Sequence, residues 1–327
     1  MAHLRNRYSK HRLLAISAGE GHPGVGADRQ AAYLPEMYSV RDAIEKQVHH
    51  LVGFGSGEVD LDRPAGDPGL FGPASAAWRV HGDFSAMMIG GMSALLLQML
   101  HPRVLAGVWD HSNFRSDMLG RLRRTAQFIS GTTYGSTAQA GAQISRVRAI
   151  HEHVRGRLPD GTPYSATDPD LLTWVHVTEA TCFLRSHVRY RDPWFSEAEQ
   201  DRYLAETAVI PLRLGAISVP RTRREVAAYI DSVRPQLRAD ERTREVAQAL
   251  LSPRSASSGV RLFQLLTNQA AIDLLPDWAA RMHGLPMPDP ARPLVRGGAQ
   301  SMGMILRWAL RDGSARRARR RVKAESR

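Results

Sequence analysis

Three stretches of this chain put polar side chains on faces where a helix would bury them, and those residues bound the chemistry available. Over residues 138–155, Ile144, Val147, His151 and Val154 follow spacings of 3, 4 and 3, which is one stripe of a helix. Arg146, Arg148, Glu152 and Arg155 lie mostly off that stripe, so His151 points with the apolar side chains and His153 does not. A buried imidazole needs a partner. His151 is therefore either a hydrogen-bonded core residue or a group kept for ligation or catalysis. Further on, Leu172, His176, Glu179 and Phe183 follow 4, 3, 4 spacing. His176 and Glu179 stand one turn apart and read as a buried hydrogen-bonded pair, or as two members of a site. Upstream, Arg121, Arg124, Thr125 and Phe128 fall at i, i+3, i+4 and i+7 and share a face. Leu119, Leu122, Ala126 and Ile129 form the apolar face of the same stretch. The two arginines are either solvated or, turned to a pocket, supply fixed N–H donors to an anionic or polar ligand. His101 before Pro102, and His111 between Asp110 and Ser112, read as local caps.

Other chemistries lack their residues. The single cysteine, Cys182, excludes a disulfide framework and any cysteine-based zinc or iron–sulfur site. There is no Gly-x-Gly-x-x-Gly after an expected strand, no phosphate loop and no Gly-x-Ser-x-Gly elbow. No His-Glu-x-x-His occurs, and the His-Glu-His at 151–153 sets its imidazoles about 200° apart on a helix, which is poor for one shared metal. A haem pocket with one axial histidine fits the remaining inventory, which allows it without demanding it.

The elements that must position these residues read as helices. From about residue 71 the pattern is helical almost without a break, with no sustained apolar–polar alternation and no internal repeat. Asp83 caps the apolar run that ends at Leu100. Asp117 opens a segment ending at Gly131, and Thr137 caps the next, with Gly156 at its stop. Asp168-Pro169 opens another, and Ser196 one that ends before Pro211. Helices are also expected over 225–233, 241–251, 259–266 and 299–310. This divides the 327 residues into a mostly irregular extension over 1–70 with a helix at 33–51, an α-helical body over 71–310, and a basic tail over 311–327. The net charge is +12, and the tail, with eight basic and two acidic residues, carries half of it. Such a block reads as solvated and disordered. A weak contact with a polyanion or an anionic membrane is its alternative. No specific nucleic-acid reader motif is present. The stretch 84–100 is too short and interrupted to span a membrane and reads as a core helix. Without a convincing leader in the first 24 residues, a cytoplasmic protein is expected.

Several segments resemble one family in consistent order. LFGPASAAWRVHGDFSAMMIGGMSALLLQMLHPRVLAGVWDHSNF, GRLRRTAQFISGTTYG, RVRAIHEHVRGRLPDGTPYSATDPDLLTWVHVTEATCFL and YLAETAVIPLRLGAISVP resemble the MpaB-type oxygenases, a family that includes the latex-clearing proteins. The resemblance implies an all-α fold with a globin-like helical core and additional helices around a single pocket for haem b. It implies a small, hydrophobic organic substrate and O₂ as partners. The latex-clearing branch carries Arg-x-x-Lys-Thr on its distal helix, and here Arg121, Arg124 and Thr125 occupy those positions, with arginine replacing lysine. An arginine stays protonated and makes a poor iron ligand. By the same resemblance His151 best matches the axial ligand, with His176 as its competitor, and Arg121 is a candidate for the haem propionates. The branch's acidic distal residue has no clear counterpart; Asp110 is nearest. Two other readings stay open: a haem protein that senses gas without turnover, and a haem-free scaffold whose tail binds polyanions.

Overall fold

A computed structural model describes residues 40–52, 59–252 and 257–324. The readings made for the first 39 residues, and for 53–58, lie outside the described residues. Among the described residues the order is α1 (Val40–Val52), α2 (Ala76–Val80), α3 (Phe84–Gln98), α4 (Pro102–His111), α5 (Phe114–Tyr134), α6 (Thr137–His153), α7 (Pro169–Tyr190) and α8 (Glu197–Thr207). It continues with α9 (Val209–Leu214), α10 (Arg223–Val233), α11 (Glu241–Leu251), α12 (Ser258–Leu274), α13 (Asp277–Met282), α14 (Arg292–Ala309) and α15 (Ser314–Lys323). Between α6 and α7 a short antiparallel hairpin, β1 (Arg155–Arg157) and β2 (Pro163–Ser165), sets Arg155 opposite Ser165. The fold is all-α, as expected; the hairpin, too short for an alternating pattern, was not.

The centre is the pair α3 and α7. Gly90 lets them meet: a Cβ there would lie 2.9 Å from both the Cys182 carbonyl oxygen and Phe183 Cδ1. Ser186 Oγ donates to the Ala86 carbonyl at 2.7 Å, and Gln98 Nε2 to that of Val175 at 3.2 Å. Ile89, Leu96 and Leu97 of α3 are fully buried, so this helix is apolar on most sides because protein surrounds it. That bears out the core-helix reading of 84–100. No single helix among the described residues is long and apolar enough to cross a membrane.

Local chemistry set several of the helix starts. Asp83, Asp168 and Ser196 accept backbone N–H groups at the first turns they were expected to cap. The cap of α6 is Ser136, one residue before Thr137, in a capping box with Gln139. Asp117 interrupts α5 at φ −140° and ψ 58°, and its carboxylate accepts Gly120 N–H at 2.8 Å, so it caps the second of two helical segments that meet at a kink. Pro211 does not follow a single long helix. The chain breaks at Ala208, and Pro211 falls in the first turn of α9, where a missing N–H costs little. Pro102 likewise opens α4, which was not foreseen, and neither was α13.

The expected disordered tail is a helix. In α15, Ala315, Ala318 and Val322 pack on Leu61, Trp78 and Tyr134, and Arg321 is 1% exposed. Its guanidinium donates to the carbonyls of Leu61 at 3.1 Å, Asp67 at 3.0 Å, Tyr134 at 2.7 Å and Gly135 at 3.2 Å. Arg317 pairs with Asp62, and Arg320 with Asp312. Charge count hid a 3, 4 apolar spacing that docks the segment; residues 325–327 lie outside the described residues.

Candidate active site

Helices α5 and α6 are joined by Gly135 and Ser136 and meet closely where Gly131 faces Gln143. At the far end of this pair lie Arg121 and Thr125 on α5 and His151 on α6. Ala140 and Ile144 are buried and Val147 and His151 half-buried, so the inferred stripe is the inward face; His153 is exposed. His151 Nδ1 is walled in by protein with no hydrogen-bond partner. Burial lowers the affinity of its ring for a proton, so the imidazole is neutral at pH 7.

On α7, His176 and Glu179 lie deep in the fold and still keep accessible surface. Neither has a hydrogen-bond partner among the described residues, so the expected His176–Glu179 pair does not form. Burial pushes His176 down to about 4 and the Glu179 carboxyl up to about 7. Glu179, placed by spacing as a mere partner, is thus a deep carboxyl without a hydrogen-bond partner among the described residues.

Arg121 is half-buried, and its hydrogen bond runs from Nη1 to Ser112 Oγ at 3.5 Å. No carboxylate among the described residues pairs with it. Burial, helped by the neighbouring Arg124 charge, lowers it to about 10, so it remains a cation at neutral pH. Thr125 Oγ1 donates to the Arg121 carbonyl at 3.2 Å, which leaves its oxygen free to accept. Arg124 departs from the expectation that it shares this inward face. Its side chain is 58% exposed and reaches back to Asp117 at 3.4 Å and Asn113 at 3.5 Å. The physical reason is angular: i+3 places it about 300° round the helix from Arg121, at the edge of the shared stripe.

The other sequence candidates stand apart. Asp110 is exposed and accepts the Tyr164 hydroxyl, so it is not an acid of this site. His111 does not cap locally as expected: its Nε2 bonds the carbonyl of Arg155, 44 residues on, at 3.2 Å. His101 holds the cap position of α4 but makes no capping bond; it is buried against Trp174 with Nδ1 unpartnered. His81, which the sequence did not single out, is satisfied on both nitrogens, by Thr133 Oγ1 at 2.8 Å and Tyr203 OH at 2.9 Å. Its two partners lie 52 and 122 residues away, which no local signal reveals.

A second space, about 700 Å³ counting its open mouth, lies between α3, α5, α11 and α12. Met88, Met92, Leu122, Ala126 and Phe263 give it apolar walls. It includes neither His151 nor His176.

Among the described residues no three His, Cys, Asp or Glu side chains converge to hold a metal ion. Ligation by a single imidazole, with the remaining positions supplied by a macrocycle, needs no such cluster. No curated protein and no solved structure matches the chain. Residues 78–322 match the family described as ER-bound oxygenase mpaB/B'/rubber oxygenase, catalytic domain. That span holds the central helix pair, all three helices carrying the candidate residues, and most of α15. The chain therefore belongs to the mpaB/rubber oxygenase family, and its helical body is that family's oxygenase catalytic domain.

Proposed function

We propose that this domain is a haem b-dependent oxygenase that oxidises a small, apolar organic substrate with O₂. The observation that supports it is a set of neutral, unpartnered imidazoles and one unpaired cation on the inner faces of α5, α6 and α7. Leaving such groups unpaired inside a protein is costly unless a bound group completes them. These residues fit a haem: His151 would offer a neutral nitrogen to its iron, with His176 as the alternative, and Arg121 would offer donors to a propionate. Bound haem would supply the iron at which O₂ is activated.

The chain's own residues have separable tasks. His151 and His176 are held neutral by burial, so their lone pairs are free at pH 7. Arg121 keeps its charge in a poorly solvated place, where it stabilises a carboxylate or negative charge developing on oxygen. Thr125, whose proton is committed to the Arg121 carbonyl, accepts rather than donates. The Arg124 side chain, turned to solvent, has no place in this set and does not act as the lysine of the latex-clearing branch does.

The test is to purify the protein and its single variants with ample iron and record absorption spectra. His151→Ala is expected to lose the Soret band or its ferrous–CO shift, while His153→Ala retains both. Loss of the band in His176→Ala alone would move the ligand to α7. A colourless parent protein would end the haem reading.

A further inference from the structure

Helix α14 reverses the usual arrangement of a surface helix, which turns charge outward. Its three arginines point into the fold: Arg292 and Arg296 pair with the buried Asp273, and Arg307 pairs with Asp83. Its exposed positions carry no charge, and they include Leu294 at 80%, Met304 at 59%, Ile305 at 54% and Trp308 at 54% exposure. At about 100° per residue these four fall within an arc of about 100°. Helix α12 extends the face. The Asp273 pairs, and the approach of Gly298 to Leu266, set α12 and α14 side by side and antiparallel. Leu262 and Leu265, both exposed, therefore stand beside the second half of α14. Asp273 is the one acid on either helix, and it is buried.

Cations flank this face. Arg261 shares the exposed arc of α12 with the two leucines and has no carboxylate partner among the described residues. At the end of α14, Arg41 of α1 lies over the Trp308 ring, 5.4 Å from its centroid. The acids at the two ends are already paired, Asp277 and Asp289 with Arg292, and Asp42 with Arg311. So large an apolar patch in water marks a contact surface. A second copy related by a two-fold axis would bring the same patch against itself, cation toward cation with no acid between. A lipid surface meets every feature at once. Its acyl boundary takes up the apolar side chains without a matching shape, its headgroup layer suits tryptophan, and anionic headgroups answer the arginines. We infer that the outward face of α12 and α14 docks on an anionic phospholipid surface, with α14 lying in the plane of the interface. This surface is separate from the residues assigned to oxidation and holds whatever reaction the domain performs.

The experiment floats the full chain with phosphatidylcholine vesicles that contain either no anionic lipid or about one-third phosphatidylglycerol. Binding is expected to be about tenfold or more tighter to the anionic vesicles. Ile305→Asp and Leu262→Asp should each weaken it at least about tenfold, because each removes an inserted aliphatic side chain and adds a repelled charge. Arg261→Gln should weaken binding about fivefold on anionic vesicles alone. Ile217→Asp changes an apolar residue that is 81% exposed elsewhere and should bind as the parent does. Circular dichroism verifies each fold, and Leu265→Asp replaces either aspartate variant that fails to fold. Brominated lipid should quench the parent's tryptophan fluorescence, and quench it less in Trp308→Phe. Absence of binding to anionic vesicles overturns the inference, as does equal binding to both kinds. Binding that survives the folded aspartate variants overturns it too, because contact would then run through basic charge elsewhere. A parent that is dimeric by light scattering, becomes monomeric in Ile305→Asp and never binds vesicles would give the face to a second copy instead.

Discussion

Glu179 shows how much a single side chain depends on where its neighbours end. Spacing put it one turn from His176, and the pair should have neutralised one another. Both instead lie deep in the fold without a bond between them. Its carboxyl is raised to about 7 by burial alone, from an ordinary value of 4.5. The fold therefore favours the protonated form. That contribution is complete below about 4.5 and is lost as pH rises toward and through 7, because the unfolded chain releases its proton first. Glu179→Gln removes the penalty, so the variant should exceed the parent in stability by on the order of 1–3 kcal/mol at pH 8. The difference should close near pH 5. Urea midpoints at the two pH values check this, and an equal gap at both would show that the carboxyl is solvated.

Element by element, the pattern of success follows the range of the forces. The starts of α3, α7 and α8 were legible because their caps are side chains bonding N–H groups two or three residues on. The amphipathic stripe of α6 was legible for the same reason of short range. The tail was misread because its order comes from distant carbonyls: Leu61 and Tyr134 stand 260 and 187 residues from Arg321. Arg321→Ala strips a charged donor from four carbonyls, three of them in buried contacts, and should cost about 3 kcal/mol or more, measured by denaturant midpoint. Arg319→Ala, at an exposed position of the same helix, should stay within about 0.5 kcal/mol. Equal losses would mean that α15 is held by charge rather than by docking. Gly69 adds to the same junction: at φ +72° a Cβ would come within 2.4 Å of the Gly135 carbonyl oxygen, so α15, the loop before α2 and the α5–α6 turn close together.

The whole molecule gathers several buried histidines that cannot take up a proton. Burial lowers His81 to about 3, and His101, His176 and His187 to about 4. In the unfolded chain each titrates near 6.5. A depressed histidine leaves stability intact above 6.5 and removes it as pH falls toward its folded value, because protons then bind the unfolded state first. Each should forfeit on the order of 1–2 kcal/mol by pH 5. The melting temperature should therefore fall steeply between pH 7 and pH 5 in calorimetry. A flat profile over that interval would show that these rings are protonated in place.

The order of amino acids alone determined the helical class, several helix starts and the inward stripe of His151, which follow from periodicity and from hydrogen bonds that reach only a few residues. The family was legible in the ordered resemblance of whole segments. Only tertiary structure decided that Arg121 turns inward while Arg124 meets solvent, that Glu179 is buried without a partner, that Thr267 Oγ1 is enclosed without one, and that the basic segment docks. Depth and empty space depend on helices far apart in the chain, and no spacing within one helix carries that information.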